Sequence, residues 1–346
     1  MKTENNNLFR VAIVGAASLK GKELKEVLED RNFPAHDIRL LDDTEALGQL
    51  QPVGDEISFI QPAGRDQFEN VDFTFFTSDV KFTKRSMKQA RQAGSAIVDL
   101  SYALEDDAGV PLSSPWIERE LGEPTKLTLD SNTLVAAHPA ATALALLMLR
   151  ARKAGTITRI AATVFEPVSE LGRRGMDELH EQTVNLLSFQ PMPTKTFDTQ
   201  VAFNMVGRFG PEAETGLEVE ERRIVTHLRK LLGEHLPVPA LMLVQAPVFH
   251  AHTFSIYVEL EQNMSAGDFA RALTGEHVLV SRLPEDTPSN VNVAGKDEIL
   301  VAVRRDASRE NGFWLWAAVD NLRLMALTAV DCANSLAAVR PHGKVQ

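Results

Sequence analysis

Three groups of side chains in this sequence could do chemistry on their own. The first is a thiol. Cys332 is the only cysteine, and a thiolate becomes a nucleophile where a neighbouring cation lowers its pKa. Cys332 sits in LMALTAVDCANSL with no histidine or lysine beside it, so it reads as a small core residue. The second group is His250 and His252, two apart in PVFHAHTFSIYVEL. On a strand both would point to the same face, which continues through Phe254, Ile256, Val258 and Leu260. A His-x-His pair can ligate a metal, but no third ligand stands at a recognisable spacing. One histidine acting as an acid–base group at the sheet's end, or two structural histidines, are the better readings. The third group is Glu220, Arg223 and His227, at i, i+3 and i+7 on one helix face, with Ile224, Leu228 and Leu231 assigned to the opposite one. The plain reading is a solvated face with an ion pair worth about 0.2–0.5 kcal/mol.

Backbone amides offer another kind of chemistry. Residues 11–28 read VAIVGAASLKGKELKEVL. An apolar run stops at Gly15, and Leu24, Val27 and Leu28 follow at helical spacing, which predicts strand, tight turn and helix. Gly15 can take a positive φ, and Gly21 removes a side chain where helix must approach strand. Amides at such a helix start carry partial positive charge and suit an anion such as a pyrophosphate. A full dinucleotide fingerprint has a third glycine between these two, so the match is partial. Asp42 and Asp43 follow the next strand, and an acidic group there hydrogen-bonds a ribose 2′-OH and repels a 2′-phosphate. NAD is therefore favoured over NADP if a dinucleotide binds; a capped turn is the alternative.

These residues need elements to position them. A chain of 346 residues is long for one core and implies two domains. Strands at 38–41, 71–76 and 96–100 with a helix at 81–93 continue the opening turn into a βαβ series, hence a parallel sheet with helices on both faces. Residues 106–124 read as loop-rich, with DDAG and several prolines. A helix over 140–152 is entered through His138-Pro139. The texture then changes to a strand at 157–165, helices at 175–189 and 218–232, and long strands at 247–260, 298–305 and 313–320. That is an α+β domain with a mostly antiparallel sheet. A closing helix over 321–339 carries Leu322, Met325, Ala329, Cys332 and Leu336 on one face, which must pack on something. A net charge of −11 argues against a nucleic-acid partner. A single cysteine excludes a disulfide framework. The polar N-terminus and the short apolar run over 140–149 point to a cytoplasmic protein with no membrane partner.

Taken together, VAIVGAASLKGKEL, AFNMV (202–206), PVFHAH (247–252) and DNLR (320–323) resemble the aspartate-semialdehyde dehydrogenase family nearly end to end. The resemblance implies an α/β plus α+β protein. A Rossmann-like parallel-sheet domain, residues 1–137 plus 321–346, would bind NAD(P). A second α+β domain, residues 138–320, would serve for substrate and dimerisation. Such enzymes make a cysteine thioester from the semialdehyde, pass hydride to NADP and release the acyl group to phosphate. Matched residue by residue, most of that outfit is missing. Ala141 occupies the place of the nucleophilic cysteine. Glu166, in FEPVSE, aligns with the glutamine that orients the substrate. Gln245 stands seven residues before His252, where the family has its carboxylate-binding arginine, while His252 itself is kept. Glu105, in DLSYALE, aligns with the phosphate-binding arginine. Glu220 and Arg223 match a Glu-x-x-Lys pair. Asp42-Asp43-Thr44-Glu45 replaces an NADP-selecting Ser-x-Arg-Ser, and Ser18 stands at the middle glycine of the turn. The stretches FEPVSELGRRGMDELHEQTVNLL and TQVAFNM look closest to the Usg-type paralogues, which lack the cysteine.

These losses point one way. Alanine has no nucleophile, so the thioester step is excluded. Glutamate for arginine at a phosphate site reverses a contact worth roughly 1–4 kcal/mol at about 4 Å. The expectation is a catalytically degenerate homodimer that takes NAD or no cofactor at all, disfavours NADP, and has at most a small anionic ligand. The alternative is an NAD-dependent oxidoreductase acting on an aldehyde or ketone without a thioester, with His252 as base.

Overall fold

The computed structural model describes residues 8–43, 45–53, 56–125, 127, 131–281 and 286–339. The polar stretch 1–7, Thr44 of the acidic turn and the final residues 340–346 lie outside the described residues. The chain forms two units, residues 1–137 with 325–346, and residues 138–324. Among the described residues, no helix is long and apolar enough to cross a membrane.

The first unit runs β1 (Phe9–Val14), α1 (Leu19–Asp30), β2 (Ala35–Asp42), β3 (Leu50–Val53), β4 (Glu56–Phe59), β5 (Gln61–Pro62), β6 (Phe73–Phe76), α2 (Val80–Gln92), β7 (Ala96–Asp99), β8 (Leu112–Ser113), α3 (Pro115–Leu121) and β9 (Thr133–Ala136). Seven strands form one sheet in the order β5-β2-β1-β6-β7-β9-β8, and β3 pairs with β4 as a separate hairpin. The pairings of the seven-stranded sheet are parallel. Its central strands are buried along their length, Val11–Val14 and Phe73–Phe76 among them, as expected of a sheet covered on both faces. The stretch 106–124 is not plain loop. Ser114-Pro115 starts α3, with Pro115 in the first turn where its missing N–H does no harm.

Two glycines hold the opening turn in shape. Gly15 has a φ of 90°, and a Cβ there would lie 2.4 Å from the Ser78 amide nitrogen. A Cβ on Gly21 would lie 2.4 Å from the Gly15 carbonyl oxygen. Ser18 caps α1 by accepting the Gly21 N–H on its hydroxyl at 2.9 Å, the usual role of serine at this position.

The second unit contains α4 (Pro139–Ala154), β10 (Ile157–Glu166), α5 (Gly172–Leu187), α6 (Leu217–Leu232), β11 (Ala240–Gln245), β12 (His252–Leu260), α7 (Ala266–Leu273), β13 (Val278–Val280), β14 (Ile299–Arg305) and β15 (Gly312–Val319). A last helix, α8 (Asn321–Ala338), starts here and belongs to the first unit from Met325 onward. The six strands are ordered β11-β10-β12-β15-β14-β13. The three inner pairings are antiparallel and the two outer ones parallel. Strand alternation gives the sheet two unlike faces. One carries Val164, Phe254, Ala317 and Val301, all fully buried. The other carries Met242, Phe165, Trp316 and Tyr257, all exposed or half-buried. The helix expected at 175–189 starts earlier, at Gly172, and ends at Leu187. The strand expected at 247–260 begins only at His252.

Gly21→Ala tests the turn. Alanine is the better helix former by about 0.8–1 kcal/mol, yet the close Gly15 carbonyl makes the substitution destabilising, by about 1–3 kcal/mol. Urea unfolding reads the sign, and a stabilised variant would contradict the packing described.

Candidate functional site

The chemistry of the second unit collects where β12 starts. Ala251 has a φ of 72°, a left-handed conformation that a strand cannot contain. Its amide donates to Asn321 Oδ1 at 3.0 Å and its carbonyl accepts from Asn290 Nδ2 at 2.7 Å. The reading of His250 and His252 as neighbours on one strand face is therefore corrected. His252 is fully buried on β12 and His250 lies outside it, half-buried.

Sheet register supplies the first partner. Gln245 pairs with Glu166 across β11 and β10, and Phe165 pairs with Thr253 across β10 and β12. Gln245, Glu166 and His252 thus form one row on the buried face. His252 Nε2 lies 2.9 Å from Glu166 Oε2. Gln245 donates its amide to the carbonyls of Glu166 and Ala246 at 2.8 and 3.0 Å. Among the described residues, its buried Oε1 and the buried Nδ1 of His252 have no hydrogen-bond partner.

The helices supply the rest. His138 caps α4, with its Nδ1 accepting the Ala140 N–H at 3.2 Å. Its own amide donates to Nδ1 of fully buried His227 on α6 at 3.0 Å. The neutral His138 ring then carries its proton on Nε2, which lies 3.1 Å from Glu220 Oε1. Glu220 is paired with Arg223 one turn on. Glu170, in the 3-10 turn Val168–Leu171, stands between the two imidazoles. Its oxygens lie 3.9 Å from His138 Nε2 and 4.0 Å from His252 Nε2. Asn321 Nδ2 donates to Glu170 at 2.6 Å, and the two rings are 5.7 Å apart.

Burial dominates the electrostatics. It pushes the Glu166 carboxyl up to about 7, partly offset by the hydrogen bond from His252. Burial alone would lower the His252 pKa, but the hydrogen bond and charge of Glu166, with Glu170 and Glu220 beyond, turn the shift upward. The two groups hold a proton between them and titrate as a pair. His138 goes the other way: burial lowers it and outweighs Glu220. An array with one proton-rich imidazole and one neutral imidazole can both give and take a proton.

The residues singled out from the sequence are thus only partly brought together. His252, Glu166, Gln245, Glu220 and Arg223 belong to the second unit, as does fully buried Ala141 in the first turn of α4. Ile224, Leu228 and Leu231 are not opposite Glu220 and His227. At 100° per residue they share one side of α6, and His227 is buried with them. Glu105, Gly15, Ser18, Gly21, Asp42 and Asp43 belong to the first unit. There the turn is largely satisfied by its own chain. Gly15 and Ala16 donate to the Leu41 carbonyl at 2.8 and 3.2 Å, and Ser18 donates to Gly15 at 3.0 Å. The Asp42 carboxylate accepts the amides of Ala17 at 2.8 Å and Asp43 at 2.9 Å, and burial raises its pKa. Cys332 is fully buried on α8 with its sulfur 3.8 Å from the Ser113 carbonyl, and burial drives its thiol pKa upward.

Sequence reasoning missed His138, Glu170 and Asn321. His138 has a visible signal, a polar residue ahead of a proline at a helix start, but that pattern marks a helix entry and no more. Glu170 and Asn321 fall inside FEPVSE and DNLR, yet their types and spacing announce no role, because their neighbours are set by tertiary packing.

The chain matches two family models, one described as "Semialdehyde dehydrogenase, NAD binding domain" over residues 10–123 and one as "Semialdehyde dehydrogenase, dimerisation domain" over residues 146–324. An aspartate-semialdehyde dehydrogenase of Rickettsia conorii is 29% identical over 334 residues, covering 95% of this chain and 97% of the relative. A USG-1 protein homolog of Pseudomonas aeruginosa is 31% identical over 329 residues, covering 93% and 96%. Among solved structures, aspartate semialdehyde dehydrogenase II of Vibrio cholerae, complexed with ASA, superposes with a TM-score of 0.85 at 26% identity, covering 96% of this chain and 99% of that one. By both domain matches and by relatives aligned along nearly its whole length, the chain belongs to the semialdehyde dehydrogenase family.

Proposed function

We propose that this chain is a dimeric member of the family that has lost phosphorylating semialdehyde oxidation and keeps a binding role. One observation carries the reading: Ala141, a methyl group, stands in the first turn of α4, where the family resemblance puts the nucleophilic cysteine. No lone pair means no thioester. The rest of the substrate machinery has changed in keeping. Gln245 replaces an arginine and spends its amide on backbone carbonyls. Glu166 replaces a glutamine and engages the retained His252. Glu105 replaces a phosphate-binding arginine. Cys332 offers no substitute, being buried with a raised pKa.

A second reading draws on the match to an NAD-binding domain and the kept Gly15–Gly21 turn. It is NAD-dependent hydride transfer without a covalent intermediate, with His252 as base. Against it, the turn amides are engaged by Leu41 and Asp42, and Ser18 caps α1 where a glycine would admit a pyrophosphate. NAD is the better fit than NADP, given Asp42 and Asp43, and weak or absent binding of both is expected. The dimer is proposed to form through the open face of the six-stranded sheet, where Phe165 lies against Trp316 and Tyr257 against Trp314, with ring centroids 5.8 and 5.1 Å apart. An apolar face of this kind is typical of homodimer contacts.

Purified protein given aspartate semialdehyde, phosphate and either NAD or NADP is expected to form no reduced cofactor. Turnover that persists in Cys332→Ala would overturn the degenerate reading, and calorimetric binding of NADH at micromolar concentration would favour the second. Met242 is 55% exposed on the open face, so Met242→Glu leaves the core untouched. It is expected to move the protein from dimer to monomer in sedimentation with circular dichroism unchanged; a wild type that sediments as a monomer would sink the dimer.

A further inference from the structure

At the head of β12 two fully buried imidazoles, His138 and His252, converge on the Glu170 carboxylate, while Glu220 and Glu166 each approach one of them. Two imidazoles and a carboxylate converging on one point are a donor set that a metal ion uses. From this arrangement we propose a divalent metal site of zinc type, ligated by His138, Glu170 and His252. It lies on the same cluster as the proposed function but does not depend on the loss of dehydrogenase chemistry.

Donor type and spacing support it. The ligand atoms of His138, Glu170 and His252 all lie within 4.8 Å of one another. A tetrahedral ion with ligands at about 2.0–2.1 Å wants them roughly 3.3 Å apart, so the two pairs with Glu170, at 3.9 and 4.0 Å, close by under about 1 Å through side-chain rotation, and no pair by more than about 1.5 Å. Two imidazoles with a carboxylate suit Zn²⁺ and its first-row neighbours, whereas Mg²⁺ and Ca²⁺ prefer an all-oxygen shell. A fourth ligand, a carboxylate oxygen, is at hand in Glu166, 2.9 Å from the same His252 nitrogen. Glu220 is tied to Arg223 and stays in the outer layer. Asn321 already donates to Glu170 at 2.6 Å, the kind of support that orients a metal-bound carboxylate.

Tautomers are the main obstacle. An ion at Nε2 moves the ring proton to Nδ1. His252 accommodates this, since its buried Nδ1 is without a partner among the described residues. His138 must give up both the bond from the Ala140 N–H and its own Nε2–H contact with Glu220. Metal–ligand bonds to both imidazoles and to Glu170 replace what these hydrogen bonds supplied.

The test uses the full-length protein, stripped with chelator and dialysed free of it. Titration with Co²⁺ is expected to give visible d–d absorption that saturates at one ion per chain and is displaced by Zn²⁺, and Mg²⁺ is expected to leave it unchanged. Calorimetry with Zn²⁺ is expected to show the same stoichiometry. His138→Gln and Glu170→Gln should each abolish the absorption, and Asn321→Ala should weaken Zn²⁺ binding about 10–100-fold. Circular dichroism checks that each variant folds, and His252→Asn replaces any that does not. No saturating absorption, or binding that survives both ligand substitutions, would overturn the site. Neither result bears on the cofactor-reduction assay, so the two readings fail separately.

Discussion

The constraint that shapes the second unit is the burial of ionisable groups where β10, β11 and β12 meet the start of α4. A carboxylate or imidazole away from water survives only with partners, and the chain provides them from five separate segments. β10 brings Glu166, the following 3-10 turn brings Glu170, and β12 brings His252. The loop into α4 brings His138, and α6 brings Glu220, Arg223 and His227. Asn321, fully buried at the head of α8, joins two of these segments by bonding both the Ala251 amide and Glu170. Ala251 takes its positive φ in this setting, its peptide held on both sides by Asn321 and Asn290.

The two units treat their inherited sites differently. In the first, the anion-binding turn keeps its shape while its amides are taken up by Leu41, Asp42 and Ser18. In the second, a place that resemblance assigns to a cysteine and an arginine now holds Ala141 and Gln245. By that resemblance the place has lost a cation and gained an acid at Glu166. Glu166, Glu170 and Glu220 stand around the two imidazoles of this unit, and on the proposed reading that acidic character counts against an anionic substrate.

Much of the architecture was legible in the sequence because local pattern and tertiary fold agree there. The run at 11–14, the break at Gly15 and the helical spacing of Leu24, Val27 and Leu28 predict β1, the turn and α1 directly. The alternation after His252 predicts the buried face of β12, although not where the strand begins, since nothing in Phe249–Ala251 announces a left-handed alanine. Short strands such as β5 and β8, two residues each, have no period to read. The candidate site was legible where resemblance marked a position, as at Glu166, Gln245 and His252. It was hidden where a residue matters only through contacts far along the chain. Glu170 and Asn321 are 151 positions apart, and no spacing rule spans that distance.

Gly15 and Gly21 have one more consequence. Each is required by atoms of the protein itself, the Ser78 amide and the Gly15 carbonyl, which leave no room for a Cβ. That demand is the same with or without a nucleotide in place. The paired glycines therefore report on how tightly a helix is set against a strand, and a ligand can vanish from such a turn without loosening the selection that keeps them. A motif of this kind works as a fossil of geometry, and its presence alone dates the scaffold rather than the occupant.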